Sequence, residues 1–125
     1  IQDYSHAINL QSNLLEAYHY RGIVRYGMKD LDGALADYNK AISLGLKSSA
    51  VYFNRGVIFH QKGQLSDAIE SYSRSIEIDP SNAKAYYNRA ISKLIVDNYK
   101  EALQDLEISK RLGYSKAAEV ISQYY

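Results

Sequence analysis

The sequence predicts an all-α protein built from consecutive helical hairpins, and a recurring motif is the main evidence. The segment YHYRG at 18–22 returns as YFNRG at 52–56 and as YYNRA at 86–90, so the motif recurs every 34 residues without an insertion. A gapless period of this length is typical of chains that stack one helical supersecondary unit on the next. Three repeats follow from the alignment, and they cover residues 15–48, 49–82 and 83–116.

Within each repeat, small and large residues occupy the positions expected for two closely packed antiparallel helices. Gly, Ala or Ser stands at positions 8 and 27, alanine always stands at position 20, and Tyr or Leu stands at positions 4 and 24. Small residues let helix backbones approach, and large residues fill the space beside them. A polar pair at positions 15 and 16 supplies the turn between the two helices. The core residues predicted in this way are Tyr18, Gly22, Ala34, Tyr38, Ala41, Tyr52, Gly56, Ala68, Tyr72, Ser75, Tyr86, Ala90, Ala102, Leu106 and Ser109.

These positions resemble the tetratricopeptide repeat (TPR), whose signature adds a proline at position 32. Repeat 49–82 matches the signature at every position, including Pro80. The resemblance covers nearly the whole chain and implies a right-handed superhelical solenoid of antiparallel helix pairs. It also implies a concave groove that commonly holds an extended peptide or a helix of another protein.

Two flanking segments complete the predicted single domain of residues 1–125. Residues 1–14 fit the second helix of a partial repeat, because Tyr4 and Ala7 fall at positions 24 and 27. Residues 115–125 form a predicted C-terminal capping helix, which covers the apolar face of the last repeat. Its apolar residues Ala117, Ile121 and Tyr124 share one helical face, and Ser115 is the candidate N-cap. We therefore expect eight helices.

An arginine at position 7 of each repeat lies at the edge of the buried stripe, since helical residues advance about 100° each. Position 23 of the partner helix is level with it and holds Asp37 in the first repeat and Asp105 in the third. We expect Arg21 to pair with Asp37 and Arg89 to pair with Asp105, because a half-buried guanidinium needs hydrogen-bond acceptors. Binding of an anionic ligand by these arginines is the less favoured alternative.

The middle repeat breaks this pairing rule. Position 23 is Ser71 there, so Arg55 has no aspartate level with it. We expect Arg55 to reach Glu70 or a carboxylate in an adjacent repeat.

The candidate binding surface is the stripe formed by positions 2, 5, 6, 9 and 13 of the first helices, which lies opposite the core stripe. Position 9 is apolar in all three repeats and position 5 is aromatic in two, so these side chains would be exposed unless a partner covers them. Asn54 and Asn88 offer amide donors and acceptors to a peptide backbone. The alternative is that these asparagines are ordinary family residues and the tyrosines only pack between repeats. The predicted peptide-binding residues are Phe53, Asn54, Val57, Lys84, Tyr87, Asn88 and Ile91.

A sharper possibility within the family is the dicarboxylate clamp, which grips the C-terminal EEVD of cytosolic chaperones. The clamp needs Lys at position 5 and Asn at position 9 of one repeat, Asn at 6 of the next, and Lys at 2 with Arg at 6 of the third. The corresponding residues of this chain are His19, Ile23, Asn54, Lys84 and Asn88. Only Asn54 and Lys84 match. The charge needed to hold two carboxylates is therefore missing, and the sequence argues against the clamp.

Composition and missing motifs exclude several function classes. A net charge of +1 argues against nucleic acid or an anionic membrane as the main partner, and no apolar run is long enough for membrane insertion. The three histidines lack metal-site spacing, and no cysteine is present. Because no phosphate-binding or nucleophile motif occurs either, the sequence indicates no catalytic residues, no metal site, no cofactor and no enzyme.

Two functions therefore remain. The first is a protein-protein interaction module, or adaptor, that binds a peptide of a partner of unknown identity in the groove. The second is an assembly scaffold that self-associates by stacking its repeats. The chain starts at Ile1 without methionine, which indicates a piece of a longer protein. Its localisation is left open by the sequence, with the cytoplasm slightly favoured.

Overall fold

The computed structural model describes the backbone of residues 2–125 and the side chains of residues 13–125, so the predictions for Tyr4 and Ala7 lie outside the described side chains. The described residues form helices and turns, without a strand, which confirms the all-α class. The chain divides into an N-terminal unit, Ile1–Lys47, and a C-terminal unit, Ser48–Tyr125. The helices over residues 2–125 are α1 (Gln2–Gly27), α2 (Leu31–Ser43), α3 (Ser49–Gln61), α4 (Leu65–Ile78), α5 (Ala83–Ile95), α6 (Tyr99–Arg111) and α7 (Ser115–Tyr124).

Helix α1 corrects the expectation of eight helices. It runs through residue 14 without a turn, so the separate helix predicted for residues 1–14 is absent. The segment QSN at 11–13 contains neither Gly nor Pro. The two later boundaries between hairpins do carry such residues, namely Gly45 at φ +109° and Pro80. Without a residue that ends a helix, the local sequence permits α1 to continue. The repeat boundaries themselves stay a prediction.

The turns inside the hairpins share one backbone feature. Position 15 of each repeat has a positive φ, at +65° for Lys29, +78° for Gly63 and +62° for Asp97. Only Gly63 adopts this left-handed conformation without steric cost.

Side-chain caps then start several helices, as Asp30 accepts a hydrogen bond from the Gly33 amide at the start of α2. Helix α7 lacks such a cap, because its N-cap residue is Tyr114 rather than the predicted Ser115.

The hairpins are held by the predicted contrast of small and large residues. The alanines at position 20 are fully buried, as are Tyr38, Tyr72 and Leu106 one turn further along the same helices. A Cβ on Gly56 would lie 2.5 Å from the Tyr72 ring, and one on Gly22 would lie 2.8 Å from the Tyr38 ring. Glycine at position 8 therefore leaves the space that the tyrosine ring occupies in these two hairpins. The tyrosines at position 4 depart from the prediction, since all three are only half-buried: Tyr18, Tyr52 and Tyr86.

In the C-terminal unit, each helix packs mainly against the next one along the chain, from α3 to α7. Ala117 of α7 is fully buried against Ala102 and Leu106, with Ile121 packed at the edge of this cluster. Tyr124 was predicted to share that buried face but remains 60% exposed, because it lies in the last turn of α7. Among the described residues, no helix is both long enough and apolar enough to span a membrane.

Candidate functional site

Helices α3 and α5 of the C-terminal unit contact each other and border a pocket of about 230 Å³, here called the α3–α5 pocket. Four of the seven predicted peptide-binding residues line it. They are Val57 on α3 and Tyr87, Asn88 and Ile91 on α5. The remaining lining residues are His60, Gln61 and Tyr72.

The other three predicted residues do not line this pocket. Phe53 is half-buried and places its ring 5.8 Å from the ring of Tyr72, which forms part of the pocket wall. Asn54 is also half-buried on α3, one residue further along. Lys84 is exposed in the first turn of α5. Four of the seven predicted residues thus line one pocket, and the peptide-binding role of all seven stays a prediction.

Three pocket residues are not among the seven predicted ones, although Gln61 stands at position 13 of the candidate stripe. His60 and Gln61 follow Val57 by three and four residues, so helical spacing places them on the same side of α3 as Val57. That spacing was the available signal for both. Tyr72 was assigned only to the core, and it is 1% exposed while its ring still lines the pocket. A residue that fills the core on one side and a pocket on the other has no separate sequence signal.

Tyr87 forms a fixed wall of the pocket. Its ring packs edge-on against Tyr114, with the ring centroids 5.0 Å apart, and Tyr114 directly precedes α7. Burial raises the pKa of the Tyr87 hydroxyl, so this side chain is neutral throughout the physiological pH range. Tyr114, the residue directly before α7, therefore packs against a residue that lines the pocket.

His60 is held from inside the fold. Its Nδ1 lies 3.2 Å from the hydroxyl oxygen of Ser92, which is fully buried on α5. This contact joins α3 to α5 next to the pocket. It also orients the imidazole ring, because one of its two nitrogens has a fixed partner.

The comparisons with known proteins agree with this architecture. Residues 56–93 match the family model described as TPR repeat. The TPR domain of Arabidopsis OM64 aligns with a TM-score of 0.78 and 26% identity, over 90% of this chain and 94% of that domain. The chain has the tetratricopeptide-repeat fold. No curated protein matches this chain.

Two further solved TPR structures are similar, and both were solved as complexes. The second TPR domain of human RPAP3, solved in complex with the HSP70 peptide SGPTIEEVD, aligns with a TM-score of 0.79 and 20% identity, over 90% of this chain and 96% of that one. The TPR2B domain of yeast Sti1, solved as a pHsp70 complex, aligns with a TM-score of 0.74 and 23% identity, over 88% and 91% of the two chains. At these identities the likeness shows the fold alone.

The seams between the paired TPR helices contain the predicted arginine pairs. Arg89 donates from Nε and a terminal nitrogen to the two oxygens of Asp105, at 2.8 and 2.7 Å. Arg21 binds Asp37 in the same two-pronged way, at 2.9 and 2.8 Å. The hydrogen bond from Arg21 holds the pKa of the Asp37 carboxyl below its usual range. Both predicted pairs are confirmed.

The arginine of the middle TPR hairpin is satisfied differently, as predicted. Arg55 donates to the hydroxyl of Ser71 at 3.0 Å and lies 4.0 Å from Glu70. It also lies over the rings of Tyr52 and Phe59, at 4.9 and 6.0 Å from their centroids. Burial lowers the pKa of the Arg55 guanidinium, which nevertheless stays charged at neutral pH. All three seam arginines are therefore engaged within the fold.

The stacking of arginine on tyrosine explains why the position 4 tyrosines are half-buried. Arg21 lies over Tyr18 at 5.4 Å and Arg89 lies over Tyr86 at 5.6 Å, as Arg55 lies over Tyr52. Each ring packs inward on one side and supports a guanidinium on the other.

Over the part of the chain whose side chains are described, no group of three or more His, Asp or Glu residues is arranged to hold a metal ion.

Proposed function

We propose that the chain is a protein-protein interaction module that binds a peptide segment of a partner along the α3 and α5 face of its C-terminal unit. The observation that supports this most is the α3–α5 pocket, since four independently predicted residues line it. A concave, largely apolar site with a few convergent polar groups is the usual form of a ligand-binding surface.

The pocket has the two components that peptide recognition requires. Val57, Ile91 and the ring of Tyr87 offer apolar contact to a side chain of the ligand. Asn88 offers both an amide donor and an amide acceptor, which is the chemistry that pairs with a peptide backbone. Backbone pairing provides affinity for any extended chain, and the apolar part of the pocket provides selectivity.

The ligand that we infer differs from the EEVD-ending peptides found in some structural neighbours. His19 and Ile23 stand where the dicarboxylate clamp needs Lys and Asn, and none of the residues lining the α3–α5 pocket is Lys or Arg. We therefore expect the peptide SRMEEVD, which is bound in one such neighbour, to bind this chain weakly.

Selection of peptide ligands and substitution of the asparagines test the proposal. Peptides are selected from a displayed random library on the whole chain, and their affinities are measured by calorimetry. The double variant Asn54→Ala with Asn88→Ala is expected to bind the selected peptides at least about tenfold more weakly, about 1.4 kcal/mol. Asn13→Ala is the matched control, because Asn13 is an exposed asparagine on α1.

Thermal unfolding of each variant separates a lost binding contact from a lost fold. Unchanged affinity in the folded double variant contradicts the proposed face. A chain that selects no peptide but gains mass with concentration in analytical ultracentrifugation favours the assembly scaffold instead.

A further inference from the structure

The polar residues that line the α3–α5 pocket restrict the chemistry of the ligand side chain that can bind there. Its polar lining groups, apart from the two tyrosines, are the imidazole of His60 and the amides of Gln61 and Asn88. Among the described residues that line the pocket, none is Asp, Glu, Lys or Arg. A charged ligand group would lose its hydration there without meeting an opposite charge, which is costly.

His60 presents a single ring nitrogen to a ligand. Nδ1 is engaged by Ser92 at 3.2 Å, and no group of the described residues forms a hydrogen bond with Nε2. When Nδ1 accepts the Ser92 proton, Nε2 carries a hydrogen and donates. When Nδ1 donates to Ser92, Nε2 accepts. A hydroxyl group suits both tautomers, because it can donate as well as accept.

The side-chain amides of Gln61 and Asn88 also favour a ligand group that can both donate and accept a hydrogen bond. Gln61 and Asn88 each combine a donor and an acceptor, so each of the three polar residues has the chemistry to pair with a neutral hydroxyl. A purely apolar ligand side chain would displace water from His60, Gln61 and Asn88 without forming hydrogen bonds in its place. Sites built to bind a hydroxyl reject the analogue that lacks it, because their polar groups are then left unpaired.

The size and the walls of the pocket favour an aromatic ring. Its volume of about 230 Å³ exceeds that of a cavity of about 150 Å³ that binds benzene in another protein. The walls include the rings of Tyr72 and Tyr87, and aromatic rings pack well against each other edge to face. Val57 and Ile91 complete the apolar part.

We propose that the α3–α5 pocket binds a tyrosine side chain of the peptide ligand, with His60 as the residue that selects tyrosine over phenylalanine. This inference rests on the proposed function and specifies the ligand of the same site. Ser92 acts as a positioning residue, since it holds the ring of His60 and is itself fully buried.

The probes for the test are N-acetyl-tyrosinamide and its phenylalanine and leucine counterparts. Each is titrated into the whole chain with methyl-labelled Val57 and Ile91, and binding is followed by the shifts of these methyl resonances. We expect the tyrosine probe to bind about fivefold more tightly than the phenylalanine probe, since it gains one or two hydrogen bonds. His60→Phe should abolish this preference, and His60→Gln should retain part of it.

His19→Phe serves as the matched control, because His19 stacks on Tyr20 in α1 and does not line the pocket. Ser92→Ala should reduce the preference for the tyrosine probe while apolar binding persists. Equal affinity for the tyrosine and phenylalanine probes overturns the inference, as does a tyrosine preference that survives in His60→Phe. Absence of any methyl shift also overturns it.

The outcomes distinguish this inference from the proposed function. If selected peptides bind in an Asn88-dependent way without containing tyrosine, the function stands and the inference fails. If no peptide binds the α3 and α5 face, the proposed function fails by itself.

Discussion

The α3/α4 and α5/α6 hairpins occupy equivalent positions in the repeat alignment, but their seam arginines are stabilised by different partners. In α5/α6, Asp105 is buried and binds Arg89 together with Lys93, whose Nζ lies 2.9 Å from it. In α3/α4, the residue equivalent to Asp105 is Ser71, and the residue equivalent to Lys93 is Phe59. The carboxylate and the second cation are thus present together or absent together.

The difference shows that each seam is balanced locally. The α5/α6 seam joins two cations to Asp105 and Glu101, while in the α3/α4 seam Arg55 lies 4.0 Å from Glu70. The α1/α2 seam of the N-terminal unit follows the first pattern, with Arg25 as the second cation, 3.2 Å from Asp37. A second cation near a buried carboxylate compensates for its desolvation.

The largest expected effect comes from breaking the balanced seam. Asp105→Ala leaves Arg89 and Lys93 without their buried partner, and their side chains are only 19% and 12% exposed. We expect a loss of about 3 kcal/mol in the free energy of unfolding. Ser71→Ala removes one hydrogen bond at the equivalent position and should cost about 1 kcal/mol. Urea unfolding of both variants measures the difference.

Arg89→Leu is the control for this comparison. Lys93 still neutralises Asp105 in that variant, so the loss should be smaller than for Asp105→Ala. Equal losses for the two substitutions contradict the view that a stranded cation dominates the cost.

The second prediction concerns packing in the same two hairpins. Gly56 faces Tyr72 in α3/α4, whereas Ala90 and Leu106 occupy the equivalent positions in α5/α6. Gly56→Ala forces the Tyr72 ring to move and should destabilise the chain by about 2 kcal/mol. Combining Gly56→Ala with Tyr72→Leu copies the α5/α6 pair and should recover part of this loss. A stabilising Gly56→Ala in thermal unfolding would contradict the close contact.

The smallest effect is a pH dependence in the α1/α2 seam. Because the folded-state pKa of Asp37 is lowered by Arg21, its stabilisation is complete above the unfolded-state pKa of about 3.9 and is lost as the pH falls through the lower folded-state pKa. The difference in urea midpoint between the native chain and Asp37→Asn should therefore be greatest near pH 7 and shrink below pH 4. The effect is modest, since Arg21 is 54% exposed. A constant difference across this range contradicts the assignment.

The helical hairpins and the arginine pairs were predictable from the sequence because both follow from one spacing. Residues 34 apart occupy equivalent places, and residues 16 apart, such as Arg89 and Asp105, meet across a hairpin. The role of Lys93 was missed, although it also contacts Asp105. Only the geometry shows that Lys93 is a second cation on the carboxylate of Asp105.

The continuous α1 and the pocket depended on information that the repeat pattern lacks. A repeat alignment places a boundary at residue 14, but a helix ends only where the local sequence or packing ends it. The contact between His60 and Ser92 joins residues 32 apart on two different helices. Such a pair has no equivalent in the other repeats, so periodicity gives no signal for it.

The successive packing of α3 to α7 also bears on how fast the C-terminal unit folds. Since each helix packs mainly against its neighbour along the chain, most native contacts close only short loops. A topology of this kind has a low relative contact order and folds on the microsecond to millisecond scale typical of helical proteins. It also lets α7 detach while α3 to α6 stay paired, so amide hydrogens of α7 exchange with solvent before those of α4 and α5.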